Sequence, residues 1–299
     1  MNGQPFLYLW YMAQQEGVLF LPVEPSLLPP DLFAIAPEAK LRVTVAYNED
    51  RYELVYDDAG QLALFPMYWD GRYIPVRIQR KTAEHIINIE IPDKNLRFMV
   101  LEHEDGRPLR FQYEQDGERG FGVIHAWGNY IDESWYSETG ELKSLYHYTW
   151  LSNGLVRLEI LASDGTTTPL IQWDYNAQNR ISLVVHEKTR TEYYYDGKGR
   201  IIRVTGCTLL PPDSQDATAS RAGVEGPGYD CHYQYDEAGF LVRQYGRTEE
   251  GPFEYRYQYT LDPRGFWIQC KVQAWSEQFG RLVPGTETRI TRTILRRKQ

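Results

Sequence analysis

From Leu41 onward the chain alternates apolar and polar side chains in short runs. Leu41, Val43 and Val45 alternate with Arg42 and Thr44, the two-residue period of a strand with one covered face. Tyr52 to Tyr56 repeats the pattern, Asp57-Asp58-Ala59-Gly60 breaks it, and Leu62 and Leu64 open the next strand. The break has a chemical cause. An Asp at the start of a turn accepts backbone N–H donors of its own turn, and a Gly at its end takes positive φ at little cost.

This frame, Tyr-Asp-x-x-Gly-x-Leu/Ile, recurs at Tyr195–Ile201 and Tyr235–Leu241. Looser copies run from Trp135 to Leu142, Trp150 to Leu155, Tyr175 to Ile181 and Tyr259 to Phe266, with Asn179 in the glycine place of the third. Asn is the next best residue for a left-handed backbone. The glycine positions 140, 154, 179, 199, 239 and 265 are unevenly spaced. The widest step holds a segment rich in Pro, Ser, Ala and Gly, which predicts a long loop insertion over 206–230. No helical period is sustained beyond the first twenty residues. The pattern predicts an all-β protein of about eighteen short antiparallel strands, an elongated meander of hairpins forming one large curled sheet. Residues 1–40, punctuated by Pro22, Pro25, Pro29, Pro30 and Pro37, predict an N-terminal cap segment on the hairpin-repeat domain of 41–299.

The best copies, Tyr193-Tyr194-Tyr195-Asp196-Gly197-Lys198-Gly199-Arg200-Ile201 and Tyr233-Gln234-Tyr235-Asp236-Glu237-Ala238-Gly239-Phe240-Leu241, resemble the YD repeats of the Rhs family. Recognisable copies cover roughly residues 130 to 270, plus the one at 56–62. The resemblance implies a sheet of β-hairpins. Rhs proteins often build such a sheet into a shell around a toxin domain. At 299 residues no such shell is expected here, and no aspartyl self-cleavage region or toxin tail is recognised in the sequence. It is similar in kind to stand-alone immunity proteins encoded beside polymorphic toxins.

Composition narrows the classes. With 42% apolar residues and a net charge of −9 over 299 positions, the chain can build a core. The 23 tyrosines suit sheets with one wet face. Met1 to Pro5 lacks the basic start of a secretory signal and no stretch reads as a membrane helix, so the expectation is a cytoplasmic protein with no membrane partner. Cys207, Cys231 and Cys270 form neither a zinc pattern nor a disulfide framework, although Cys207 and Cys231 flank the insertion and could bridge it.

Candidate chemistry is sparse. None of the six histidines stands at metal-ligand spacing, and Cys231-His232 are strand neighbours that point to opposite faces. No nucleophile elbow and no phosphate-binding glycine loop is present. No catalytic residue, metal or cofactor is expected. Carboxylates at Glu102/Glu104/Asp105 and Asp132/Glu133 leave a glycoside hydrolase as one alternative. Aromatic residues near turns, including Trp69, Tyr73 and Tyr136, leave a carbohydrate-binding or cell-surface Rhs-like module as another; packed as a tyrosine ladder, they would fill the core instead.

Charge is more directive. Ten acidic and three basic residues lie between Glu102 and Leu142, whereas six basic and one acidic residue lie between Arg281 and Gln299. An acidic, aromatic stretch suits a basic protein partner. The basic end is brief and lacks interleaved aromatics, and Thr288–Leu295 reads equally as a strand, so no nucleic acid is expected. The function expected is a non-enzymatic immunity protein that neutralises a cognate toxin or effector by occluding its active surface. The expected contacts are Glu102, Glu104, Asp105, Glu114, Asp116, Glu118, Trp127, Tyr130, Asp132, Glu133 and Trp135, with the 206–230 loop as a second place.

Overall fold

The computed structural model describes residues 41–69, 72–82, 86–104, 107–151, 154–162, 164–186, 189–209, 225–278 and 281–296. The expected cap over 1–40 lies outside the described residues. Among the described residues twenty strands follow in chain order. The first ten are β1 (Leu41–Tyr47), β2 (Asp50–Tyr56), β3 (Leu62–Trp69), β4 (Arg72–Arg80), β5 (Ile86–Ile91), β6 (Leu96–Glu104), β7 (Arg107–Gln115), β8 (Glu118–Trp127), β9 (Tyr130–Ser137) and β10 (Leu142–Leu151). The rest are β11 (Gly154–Leu161), β12 (Thr167–Tyr175), β13 (Ile181–His186), β14 (Thr189–Tyr195), β15 (Ile201–Leu209), β16 (Glu225–Tyr235), β17 (Leu241–Thr248), β18 (Gly251–Leu261), β19 (Trp267–Gln278) and β20 (Arg281–Arg296).

Each strand pairs antiparallel with the next, and β20 pairs with β1 from Leu41↔Arg296 to Tyr47↔Ile290. The sheet is therefore a closed 20-stranded barrel, which corrects the open curled sheet expected from the pattern. Hairpin signals are local, while closure depends on pairing residues some 250 positions apart, which no turn motif encodes. Closure satisfies the edge hydrogen bonds that an open meander would leave bare. The insertion is also narrower than expected. Gly206↔Tyr229 and Cys207↔Gly228 are ladder pairs, so both flanks of the predicted loop are strand.

The expectation of a cytoplasmic protein falls with the open sheet. It rested in part on the lack of an apolar helix. No helix among the described residues is long and apolar enough to cross a membrane, but that says nothing of a closed barrel, because barrels that span membranes do so with strands.

In a meander barrel successive turns alternate between two rims. Seven turns share one hydrogen-bond pattern: the first residue's N–H donates to the carbonyl four residues on, and the fourth residue's N–H donates back to the first carbonyl. They begin at Asp57, Ser137, Ala162, Asn176, Asp196, Asp236 and Asp262. The fourth residue always has positive φ, from Asn179 at 55° to Gly239 at 95°. Ala162–Thr166 was not recognised in the sequence, and the shortened copy around Gly154 proves to be strand on both sides. Five of the seven, those closing β2–β3, β12–β13, β14–β15, β16–β17 and β18–β19, share one rim, hereafter the repeat rim.

After six of these turns the register slips by one residue in the same place. Tyr195 faces Ile201 but Tyr194 faces Arg203, and Tyr235 faces Leu241 but Gln234 faces Arg243. The residue skipped is the second of the returning strand, Ile202 or Val242 in these cases, a β-bulge built into the motif. Consecutive repeats also hold each other. Arg180 lies over the Tyr195 ring at 5.6 Å and Arg200 over Tyr235 at 4.7 Å. The Tyr195 hydroxyl donates to the Ile181 carbonyl at 2.7 Å, and the Tyr235 hydroxyl to Ile201 at 2.8 Å.

One face of the sheet is covered throughout, from Leu41, Val43 and Val45 on β1 to Ile290 on β20. In a single closed layer the covered face is the inner one. Its densest part sits on β6–β9, where Trp135 meets the rings of Phe98, Phe111 and Tyr113 at 4.7–5.6 Å. β8 makes room for them with Gly120 and Gly122: a Cβ on Gly122 would stand 2.0 Å from the Phe111 ring. The outer face carries rows of paired charges, while Glu133 and Arg292 lie buried on the inner one. Arg77–Glu90–Arg97, Arg110–Glu102 and Arg119–Glu114 are ion pairs across it. Membrane barrels run the opposite way, apolar outside and polar within.

Candidate interaction surface

The eleven residues singled out in the sequence do not form one patch. Glu114 faces outward on β7, and Asp116 and Glu118 sit at the β7–β8 turn on the rim opposite the repeat rim, where Asn95 Nδ2 donates to Asp116 at 3.1 Å. Glu102, Trp127 and Tyr130 lie toward the repeat rim, the last two exposed and flanking the Gly128-Asn129 turn. Glu104 ends β6, and Asp105 lies outside the described residues. The nine residues of β7 separate the two groups by about 30 Å at 3.3 Å per residue. Asp132 faces outward and lies 2.7 Å from His147 Nδ1.

Glu133 and Trp135 require correction. Both are fully buried on the inner face. Trp135 Nε1 and the Tyr148 hydroxyl donate to the Glu133 carboxylate at 2.9 and 2.5 Å. They are core residues, unavailable to a partner. Their neighbours in sequence, Asp132 and Ser134, take the other face, as strand alternation demands. The same alternation separates Asp132 from Glu133, so this carboxylate pair cannot converge on one glycosidic bond.

Between the two groups the outer wall holds an apolar row. Met99, Gln112, Phe121, Tyr136 and Leu142 are cross-strand partners on β6 to β10, about 19 Å end to end at 4.8 Å per strand. Phe121 and Tyr136 stack with centroids 5.0 Å apart, and Met99 and Leu142 are 43% and 47% exposed. Beside the row a groove of about 460 Å³ opens, lined among others by Arg97, Met99, Glu114, Arg119, Phe121 and Glu138. Of these, sequence reasoning singled out only Glu114. The alternation on β6 and β8 marks Met99 and Phe121 as outward, but their meeting depends on the register of four hairpins.

A second outward system covers β14–β19 and was missed altogether. Tyr194, Arg203, His232, Tyr245, Glu254 and Trp275 are cross-strand partners in succession. Arg203 grips Asp230 with two bonds of 2.8 Å, His232 stacks on Tyr245 at 5.2 Å, and Arg243 and Arg256 lie over Tyr245 and Trp275 at 4.3 and 4.0 Å. The hydrogen bonds from Arg203 hold the Asp230 carboxyl below the usual carboxylate range. Burial pushes Glu254 up, but hydrogen bonds from Arg243 and Arg256, both at 2.6 Å, outweigh it and hold the carboxyl below its ordinary value.

The reactive groups do not assemble. Cys231 is buried on the inner face, where burial pushes its thiol up to about 11, while His232 points outward. Cys207 and Cys231 form no disulfide, so no bridge between them closes the insertion. Among the described residues no three His, Cys, Asp or Glu side chains are placed to hold a metal ion.

No family model matches the chain, and no curated protein matches it. Solved structures do. A porin-like protein from Bacteroides uniformis ATCC 8492 aligns over 87% of this chain and 98% of its own, with a TM-score of 0.33 and 11% identity. A porin-like protein from Bacteroides vulgatus ATCC 8482 aligns over 86% and 98%, at 0.32 and 12%. A chain of the TcdB2-TccC3-Cdc42 structure aligns over 75% of this chain and 13% of its own, at 0.32 and 14%.

Proposed function

We propose that this barrel is a non-catalytic binding protein whose partner is another protein, and that it acts as an immunity protein, holding a cognate toxin or effector inactive by covering its active surface. One observation carries the reading: the outer wall of β6–β10 presents an apolar row, Met99, Phe121, Tyr136 and Leu142, inside a frame of charged side chains. Aromatic, Met and Arg side chains at the centre of a polar rim are the composition of protein interfaces. The wall is rigid, since each of its strands is paired on both sides, so little ordering is lost on docking. The likeness of the hairpin motif to Rhs YD repeats supports the toxin setting.

The test is co-expression with the toxin encoded beside it. Protection of the cells and isolation of a stoichiometric complex are expected, both weakened by Leu142→Asp. A toxin that neither binds the barrel nor is restrained by it sinks the reading.

A further inference from the structure

We infer that the partner lays a cationic surface, with an apolar side chain at its centre, on the β6–β10 wall at the end away from the repeat rim. This rests on the binding-protein reading above and names the partner's chemistry.

Charge points there first. Ten acidic and five basic side chains lie between Leu96 and Leu151. The turns β5–β6, β7–β8 and β9–β10 and the strand ends beside them bring Asp93, Glu114, Asp116, Glu118, Glu138 and Glu141 to one rim, against Lys94, Arg97, Arg119 and Lys143. A cationic partner is steered toward that end and a like-charged one is repelled. The groove between Met99 and Phe121 opens beside these acids, with Glu138 in its lining. Apolar anchor and acidic frame thus occupy the same end of the same five strands.

The two ion-pair systems of the outer wall differ in how readily they yield. Glu114 and Arg119 meet at 3.3 Å with side chains 49% and 65% exposed. Such pairs contribute little to stability, so an incoming Lys or Arg can take Glu114 from Arg119 at small cost. Glu254, 3% exposed between two guanidiniums, cannot change partners without uncovering a buried charge. The β14–β19 system is therefore a locked wall, and the β6–β10 wall is the one that opens to a partner.

The experiment uses the full chain and two labelled peptides of equal length, one alternating leucine and lysine, the other leucine and glutamate, read by fluorescence anisotropy. The lysine peptide is expected to bind, more weakly as ionic strength rises, and about tenfold more weakly to Phe121→Asp, Leu142→Asp and the double variant Glu138→Lys/Glu141→Lys. Leu142 is exposed, so its variant remains informative should the Phe121 variant misfold. Glu277→Lys/Glu287→Lys makes the same charge change on the β19–β20 wall and is expected to leave affinity within about twofold. Equal binding of the glutamate peptide, or equal loss from both double-lysine variants, overturns the inference. Toxin protection that survives Phe121→Asp and Leu142→Asp overturns it alone. Peptide binding at this wall without protection overturns only the immunity reading.

Discussion

Replacing Glu254 with glutamine removes one charge from the most enclosed ion-pair system of the outer wall. The carboxylate is 3% exposed and accepts from Arg243 and Arg256, whose side chains are 36% and 47% exposed. Those two arginines are cross-strand partners, so without the carboxylate like charges face each other directly. Breaking a buried pair by removing one partner costs about 3–5 kcal/mol. Here both guanidiniums keep water on their outer edges and rest on Tyr245 and Trp275, so about half of that, ~2 kcal/mol, is expected. At about 2–4 °C per kcal/mol for a domain of this size, the Tm falls by about 4–8 °C. The assay is thermal unfolding by near-ultraviolet circular dichroism, with Glu287→Gln, an exposed carboxylate on β20, as the control. The sign with pH follows from the depressed carboxyl. A group whose pKa is lower folded than unfolded stabilises above its unfolded value, about 4.3 for glutamate, and loses that contribution as the pH falls through the folded value. The gap between wild type and E254Q is therefore full at neutral pH and narrows in acid. A Tm within about 1 °C of wild type at neutral pH, or a gap that does not change with acid, would refute the reasoning.

Three further outcomes are expected. Gly122→Ala drives a methyl into the Phe111 ring and lowers stability by about 1–3 kcal/mol in denaturant titration, with loss of near-ultraviolet signal from the Trp135 cluster; Gly197→Ala, which meets no neighbour within 4 Å, leaves that signal intact. Tyr235→Phe deletes the hydroxyl bond to the Ile201 carbonyl and lowers stability by about 0.5–1.5 kcal/mol, measured the same way. Asp196→Asn keeps the turn's backbone bonds, as Asn176 does for Gln178 and Arg180, but loses the ion pair with Arg200, so it lowers the Tm by less than Asp196→Ala, which loses both.

What the sequence reveals and hides follows from the range of each interaction. The turns were legible because each is specified within about seven residues: Asp196 accepts from Lys198 and Arg200, and Gly199 turns the chain at φ 84°. Asn179 takes the glycine place at φ 55° for the same local reason. Closure was not legible, because Val43 and Ile294 carry no sign that they are partners. The candidate surface falls between these cases. The stretch 102–142 does contain outward Glu114 and Phe121 of the proposed wall, but acidity and aromaticity alone could not separate them from Glu133 and Trp135, which strand parity turns inward. Parity was available in the sequence once β9 had a fixed starting point; its neighbours were not. The guanidinium system of β14–β19 was hidden because its members, from Tyr194 to Trp275, meet only after five successive registers are set.

The bulge that follows six of the motif turns has a consequence for how such chains grow. Each motif hairpin resets its own register, with the skipped residue always second in the returning strand. A duplicated or deleted hairpin of this type therefore brings its own correction with it and leaves the pairing of its neighbours undisturbed. The girth of the barrel can change in steps of two strands while the seam between first and last strand keeps its alignment, which makes the number of hairpins, more than their individual sequences, the free variable of this architecture.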